Sequence, residues 1–176
     1  MCKFRDLRAD EIECRIQSVK ENGLILLLYK DARVDMNILD ENVGSAKWQR
    51  EHYERKGNLF CRVGIKECDP KTLKEEWVWK SDCGTESNTE AQKGEASDSF
   101  KRACFNWGIG RELYTAPFTW IPADKCTIKD GKNGSKQCYD KFVVEKIIIE
   151  NKQITALAIY NTTKGCRAFV WQKPKQ

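Results

Sequence analysis

One stretch constrains this chain more than any other: from Ser87 to Gly110 the sequence reads as a helix with both of its stops. Ser87-Asn88-Thr89-Glu90 has the S-x-x-E form of a capping box, in which serine oxygen and glutamate carboxylate each satisfy a backbone N–H of the first turn. Ala96, Phe100, Ala103, Cys104 and Trp107 then fall on one apolar stripe of helical period. Gly108 and Gly110 stop the helix just beyond Asn106. Asp98, Lys101, Arg102 and Phe105 lie off the stripe.

Ahead of this helix the pattern changes to strands. Trp48 to Glu54, Leu59 to Lys66 and Glu76 to Asp82 are three strand-like runs. A hairpin-sized Lys56-Gly57-Asn58 joins the first two and a longer loop around Asp69-Pro70 joins the others, which predicts an antiparallel meander. Leu24 to Tyr29 is a short apolar run between turn signals, hence a buried strand, and Asp31 to Val43 returns to helical spacing before Gly44. In Ala9 to Lys20, Ile12, Ile16 and Val19 stand at i, i+4 and i+7. That spacing predicts a helix closed by Asn22-Gly23, with Arg15 off its stripe. After Pro117 come a short strand at Phe118 to Ile121, a lysine-rich loop from Asp124 to Asp140, a hairpin of Phe142 to Glu150 and Ile154 to Asn161 turned at Asn151-Lys152, and a last strand at Ala168 to Trp171. The expected fold class is α+β: a β-meander packed against a long helix, with N-terminal helices and a C-terminal β-hairpin. Residues 1–116 form the core in this reading, and residues 117–176 an extension of the same domain.

Composition removes several functions. A chain of 176 residues is long enough to bury about 70% of its unfolded surface and needs no disulfides. No apolar run approaches the roughly 18 residues of a membrane span, and Met1 to Asp6 lacks the apolar region of a signal peptide, so a cytoplasmic protein is expected. The nine cysteines form no CxxC pair and His52 is the only histidine. Reduced thiols are therefore expected, with no metal site, and no Ser-His-Asp or Cys-His chemistry unless His52 is the base. Asp130 to Lys136 has the composition of a P-loop without its spacing, and Gly108-Ile109-Gly110 follows a helix instead of a strand. No nucleotide cofactor is expected. Metal-dependent nuclease chemistry remains an alternative through Glu54 or Asp69.

The formal charge is +5, and the excess lies in residues 117–176, with 11 basic against 5 acidic residues. Binding a single strand needs cations that track phosphates and, often, flat side chains on which bases stack. Arg15, Lys66, Lys80, Lys93, Lys101, Arg102 and Arg111 are the candidate cations, near predicted helix or strand ends. Trp77 and Trp79 share one face of a strand; packing under a helix is their expected role, base stacking the second.

The run Glu90-Ala91-Gln92-Lys93-Gly94-Glu95-Ala96-Ser97-Asp98-Ser99-Phe100-Lys101-Arg102-Ala103-Cys104-Phe105-Asn106-Trp107-Gly108 resembles the signature helix of the Rad52-like single-strand annealing proteins, in particular their phage branch, the Sak-type recombinases. Ile109 to Tyr114, Ile12 to Ile16, Tyr29 to Val34 and Asp40 to Gly44 with Trp48 match in the same order, so the similarity covers about residues 7–115. The resemblance implies protomers assembled into rings or arcs, with residues 1–116 as the annealing core. It implies ATP-independent annealing of complementary DNA strands in recombination and repair, a binding function that makes and breaks no bond. Phosphates would be held by Arg15, Lys101 and Arg102. Single-stranded DNA and further copies of the chain are the implied partners, with a host or phage single-strand-binding protein or exonuclease among the expected ones, in the host cytoplasm if the protein is phage-encoded. Some relatives carry another basic residue where this chain has Phe105, which leaves an aromatic ring for a neighbouring subunit or a base to cover. A nucleic-acid module that binds single strands without annealing them is the other alternative.

Overall fold

The structure, a computed structural model, describes residues 3–85 and 91–174. The chain divides into two units, one of Met1–Arg5 with Ala32–Arg111 and the other of Asp6–Asp31 with Glu112–Gln176. The hairpin of residues 13–29, expected within the annealing core, thus shares a unit with the C-terminal hairpin.

In the first unit the long helix and the meander both form. Strands β3 (Trp48–Arg55), β4 (Asn58–Cys68) and β5 (Glu75–Cys83) make a three-stranded antiparallel sheet in the order β3-β4-β5. The β3–β4 turn places Lys56 and Gly57 at φ 55° and 75°, the left-handed pair that a two-residue hairpin requires. The β4–β5 loop is built on Asp69, whose Oδ1 accepts from the Lys71 and Thr72 N–H groups at 2.7 and 3.4 Å. These bonds hold the exposed Asp69 carboxyl below its usual range. Helix α2 (Ala91–Trp107) lies on this sheet; the Ser87–Glu90 capping box lies outside the described residues. Phe100, Ala103 and Cys104 are fully buried against Cys61, Val63 and Ile65 of β4, each large side chain worth about 1.5–3 kcal/mol relative to exposure. The Trp107 indole N–H donates to the Val63 carbonyl at 3.0 Å, and His52 Nε2 of β3 donates to Ala96 O at 3.0 Å. The lone histidine is thus a strand-to-helix tie. The helix stops where Gly108 takes φ 91° and its N–H returns to Phe105 O at 2.9 Å. Helix α1 (Ala32–Val43), with Ile38 and Leu39 buried, forms as the spacing predicts.

The second unit corrects one expectation. Residues 9–20 are not a helix: after a short turn at Ala9–Glu11 the chain runs as strand β1 (Glu13–Lys20), which pairs with β2 (Gly23–Tyr29). The physical reason is a bulge. Ile16 pairs with Leu26 and Val19 with Leu24, so three residues on β1 stand against two on β2. Ile12 to Ile16 is two strand periods, and the bulge turns the next interval into three, so a bulged strand carries the i, i+4, i+7 spacing of a helix.

The sheet is completed by β6 (Thr119–Pro122), β9 (Phe142–Glu150), β10 (Gln153–Asn161) and β11 (Cys166–Gln172) in the antiparallel order β11-β10-β9-β1-β2-β6. Asn151 and Lys152 turn the β9–β10 hairpin at φ 51° and 61°, as expected. The lysine-rich loop is more ordered than its composition suggests. It carries the two-residue ladder of β7 (Lys129–Asp130) and β8 (Lys136–Gln137). Its end is fastened by Asp140, buried, whose Oδ2 accepts from Thr127 N at 2.8 Å and from the buried Asn161 Nδ2 at 2.7 Å.

Candidate nucleic-acid interface

The strand pairing sorts the meander into two faces. Lys80 pairs with Val63 and Asp82 with Cys61, so Val78, Lys80 and Asp82 share the face that carries α2, while Trp77 and Trp79 share the opposite face with Arg62, Gly64 and Lys66. Each candidate cation can then be placed by what lies beside it.

On α2, Lys101 is half-buried and makes no hydrogen bond or ion pair among the described residues. Beside it, Arg102 directs Nε to Asp82 Oδ1 of β5 at 3.3 Å, with both side chains part-exposed. Lys93 is exposed in the first turn of the helix. Lys80 and Arg111 converge on the helix's carboxyl end. Lys80 Nζ donates to Asn106 O at 3.0 Å and stands 4.5 Å from the centre of the Trp107 ring. The Arg111 guanidinium donates to Phe105 O at 2.7 and 3.0 Å and to Asn106 O at 3.2 Å. Two cations thus satisfy the terminal carbonyls, where the helix dipole is negative. Phe105 is half-buried on the same helix. Lys66 lies on the far face of the sheet, paired with Glu75 at 2.5 Å. That lysine holds the exposed Glu75 carboxyl below its usual range.

Trp77 and Trp79 do not pack under a helix. They lie on the face opposite α2, their rings 6.0 Å apart, with the Arg62 guanidinium 4.4 Å above Trp79. The ring of Trp79 covers Gly64, where a Cβ would meet it at 2.8 Å. On this face Arg62 pairs with Glu51 and Lys66 with Glu75. Glu54 and Asp69, the carboxylates named for a nuclease, do not converge. Glu54 sits opposite Leu59 at one end of β4 and Asp69 follows Cys68 at the other, a strand length of about 30 Å at ~3.3 Å per residue.

Arg15 belongs to the second unit, exposed on β1. It lines a cleft of about 860 Å³ with Glu13, Tyr29, Lys141 and an apolar floor that includes Ile12 and Phe142. A hydrogen bond to the Glu13 carboxylate, reinforced by burial, pushes the Tyr29 phenol up to about 12. Tyr29 was not among the candidates read from the sequence, which held Lys141 only at the end of a lysine run, Lys125 to Lys141, as a second place for the groove. Tyr29 could have been found from the hairpin register, which sets it opposite Glu13; Lys141 depends on a pairing more than a hundred residues distant.

The sequence matches the Rad52/22 family, described as a double-strand break repair protein, over residues 5–130. No curated protein and no solved structure matches the chain. The matched span holds β1 with Arg15, the whole meander and α2 with Lys101 and Arg102, and it ends ahead of Lys141. With most of the chain inside it, the protein belongs to the Rad52/22 family of double-strand break repair proteins.

Proposed function

We propose that this member of the family binds single-stranded DNA and anneals complementary strands without a nucleotide cofactor, as a homo-oligomeric ring or arc of the phage type, with residues 1–116 as its annealing core. The observation that carries the reading is the pair Lys101-Arg102 on the part-exposed side of a helix whose other side is locked into the meander. A rigid helix presents cations at fixed spacing. Annealing needs phosphates neutralised so that two polyanions can approach, while base edges stay free for pairing; contacts to phosphate carry no sequence information, which suits that task. A protomer with net charge near zero outside residues 117–176 binds weakly alone, and repetition around an oligomer raises affinity through effective concentration. Mixing labelled complementary oligonucleotides with the protein, without ATP, tests the proposal. Pairing faster than the protein-free control at unchanged strand length supports it; equal rates under conditions where binding is seen refute it.

The Trp77–Trp79 pair, with Trp77 exposed and Arg62 above Trp79, favours a second reading, a module that holds single strands by base stacking and does not anneal them. In that case the same assay gives binding, retarded pairing, and loss of affinity on Trp77→Ala.

A further inference from the structure

Strand β1 is paired along its whole length with β2, but with β9 it shares a single Cα pair, Glu13 opposite Val143. Antiparallel pairing that continued one more step on this side would set Arg15 directly opposite Lys141, because each lies two residues from that pair in opposite directions. Like charges directly opposite on a sheet destabilise it, and at this position the ladder stops and the cleft opens. We infer that the splay between β1 and β9 is a phosphate slot, with Arg15 on one wall and Lys141 on the other. This rests on the single-strand-binding reading above and adds to it a cation from beyond the family match.

Three features fit Lys141 for the role. Its ammonium makes no hydrogen bond or ion pair among the described residues, and the same holds for the Arg15 guanidinium. Its backbone is fixed from the side away from β1: its N–H donates to Thr163 Oγ1 at 2.9 Å, and its carbonyl accepts from Thr162 N at 2.9 Å and Thr162 Oγ1 at 3.0 Å. The preceding Asp140 is held by Thr127 and Asn161. The lysine therefore stands at a set position instead of trailing from a loop, and preorganisation lowers the entropy cost of binding. Carboxylates line the cleft too. Asp140 is already bonded, Glu13 is engaged by Tyr29, and Asp10 lies in the short turn ahead of β1. They keep the slot from being strongly cationic, so the phosphate is held by the two cations together and not by a general positive field.

The test measures binding of labelled oligo-dT as a function of salt for Arg15→Ala, Lys141→Ala, the double variant, Lys141→Arg, and Lys132→Ala as a control of equal charge on the same loop. Losing the contact lowers the log–log salt slope by about 0.7. Lys141→Ala and Arg15→Ala are each expected to show that loss, and the double variant no more than either alone, since one missing wall empties the slot. Lys141→Arg should keep the slope, and Lys132→Ala should match the unaltered protein. A Lys141→Ala slope equal to that of the unaltered protein, additive losses in the double variant, or an equal loss from Lys132→Ala overturns the inference. Lys101→Ala separates the two levels: if it loses slope while Lys141→Ala does not, only the slot fails, and if neither does, the single-strand-binding reading fails with it.

Discussion

Arg111 is the cation for which sequence and structure assign different work, and its replacement by alanine measures the difference. Its guanidinium reaches Phe105 O at 2.7 and 3.0 Å and Asn106 O at 3.2 Å. Neither carbonyl is orphaned by its loss, because Gly108 N–H still reaches Phe105 O at 2.9 Å and Lys80 Nζ still reaches Asn106 O at 3.0 Å. What disappears is a solvent-screened cation at a helix carboxyl end and its charged hydrogen bonds, together about 0.5–1.5 kcal/mol. For a chain of this size each kcal/mol moves the melting temperature by about 2–4 °C, so Arg111→Ala should melt lower by about 1–6 °C. Adding Lys80→Ala strips Asn106 O of its remaining side-chain donor and Trp107 of its cation, so the double variant should lose more than the sum. Thermal unfolding followed by circular dichroism reads the stability, and oligo-dT binding across a salt series reads the phosphates. If Arg111 is a cap, the melting point falls and the salt slope holds. An unchanged melting point with a slope reduced by about 0.7 would refute the capping account and return Arg111 to the DNA groove.

Lys101→Ala and Arg102→Ala should each lower the salt slope by about 0.7, with the thermal midpoint in place for Lys101→Ala and slightly lower for Arg102→Ala, which loses its pair with Asp82; a shifted midpoint with an intact slope would make them structural. Phe105→Ala should move the oligomer toward smaller species in light scattering with affinity per protomer retained, whereas wild-type mass with weaker binding would assign the ring to a base. Gly64→Ala puts a Cβ at 2.8 Å from the Trp79 ring, and should cost about 1–3 kcal/mol as overpacking and alter the near-ultraviolet dichroism; stability equal to wild type would show the contact to be soft. Burial disfavours the Cys14 thiolate and pushes its pKa up to about 12, so this thiol stays protonated through pH 9 and should react with Ellman's reagent more slowly than exposed Cys68; equal rates would count against its burial.

What the sequence discloses depends on whether the signal is local. Helix α2 was legible because its stripe and its carboxyl-end glycines fall within one segment, and the β3–β4 and β9–β10 hairpins because Lys56-Gly57 and Asn151-Lys152 carry the left-handed turn. Strand β1 was misread for a physical reason: a bulge between Ile16 and Ser18 gave a strand the spacing of a helix. The candidate site divides in the same way. Lys101 and Arg102 could be placed on the helix from their own neighbourhood. That Lys66 meets Glu75, that Lys80 meets the end of α2, and that the Trp77–Trp79 face turns away from the helix all depend on the register of β4 against β5, which no local pattern contains.

These placements have a consequence for affinity. Of the cations that a composition argument would count as phosphate ligands, Lys66 is matched by a carboxylate and Lys80 and Arg111 serve helix carbonyls. Lys101, Arg102 in its looser 3.3 Å pairing with Asp82, and the slot of Arg15 and Lys141 are the contacts that the two proposals assign to phosphate. Three phosphate contacts per protomer give a log–log salt slope of about −2 for a single strand, so a rise from roughly 50 to 200 mM salt weakens one protomer's grip by about 15–20-fold. A lone chain would let go of its strand at moderate salt, and a repeated array would hold it by many such contacts, each individually weak. Under the annealing proposal that division has a use. A strand held at many weak points can release locally, test a complement, and be held again, whereas a protomer that used every basic residue on phosphate would keep its strand from pairing.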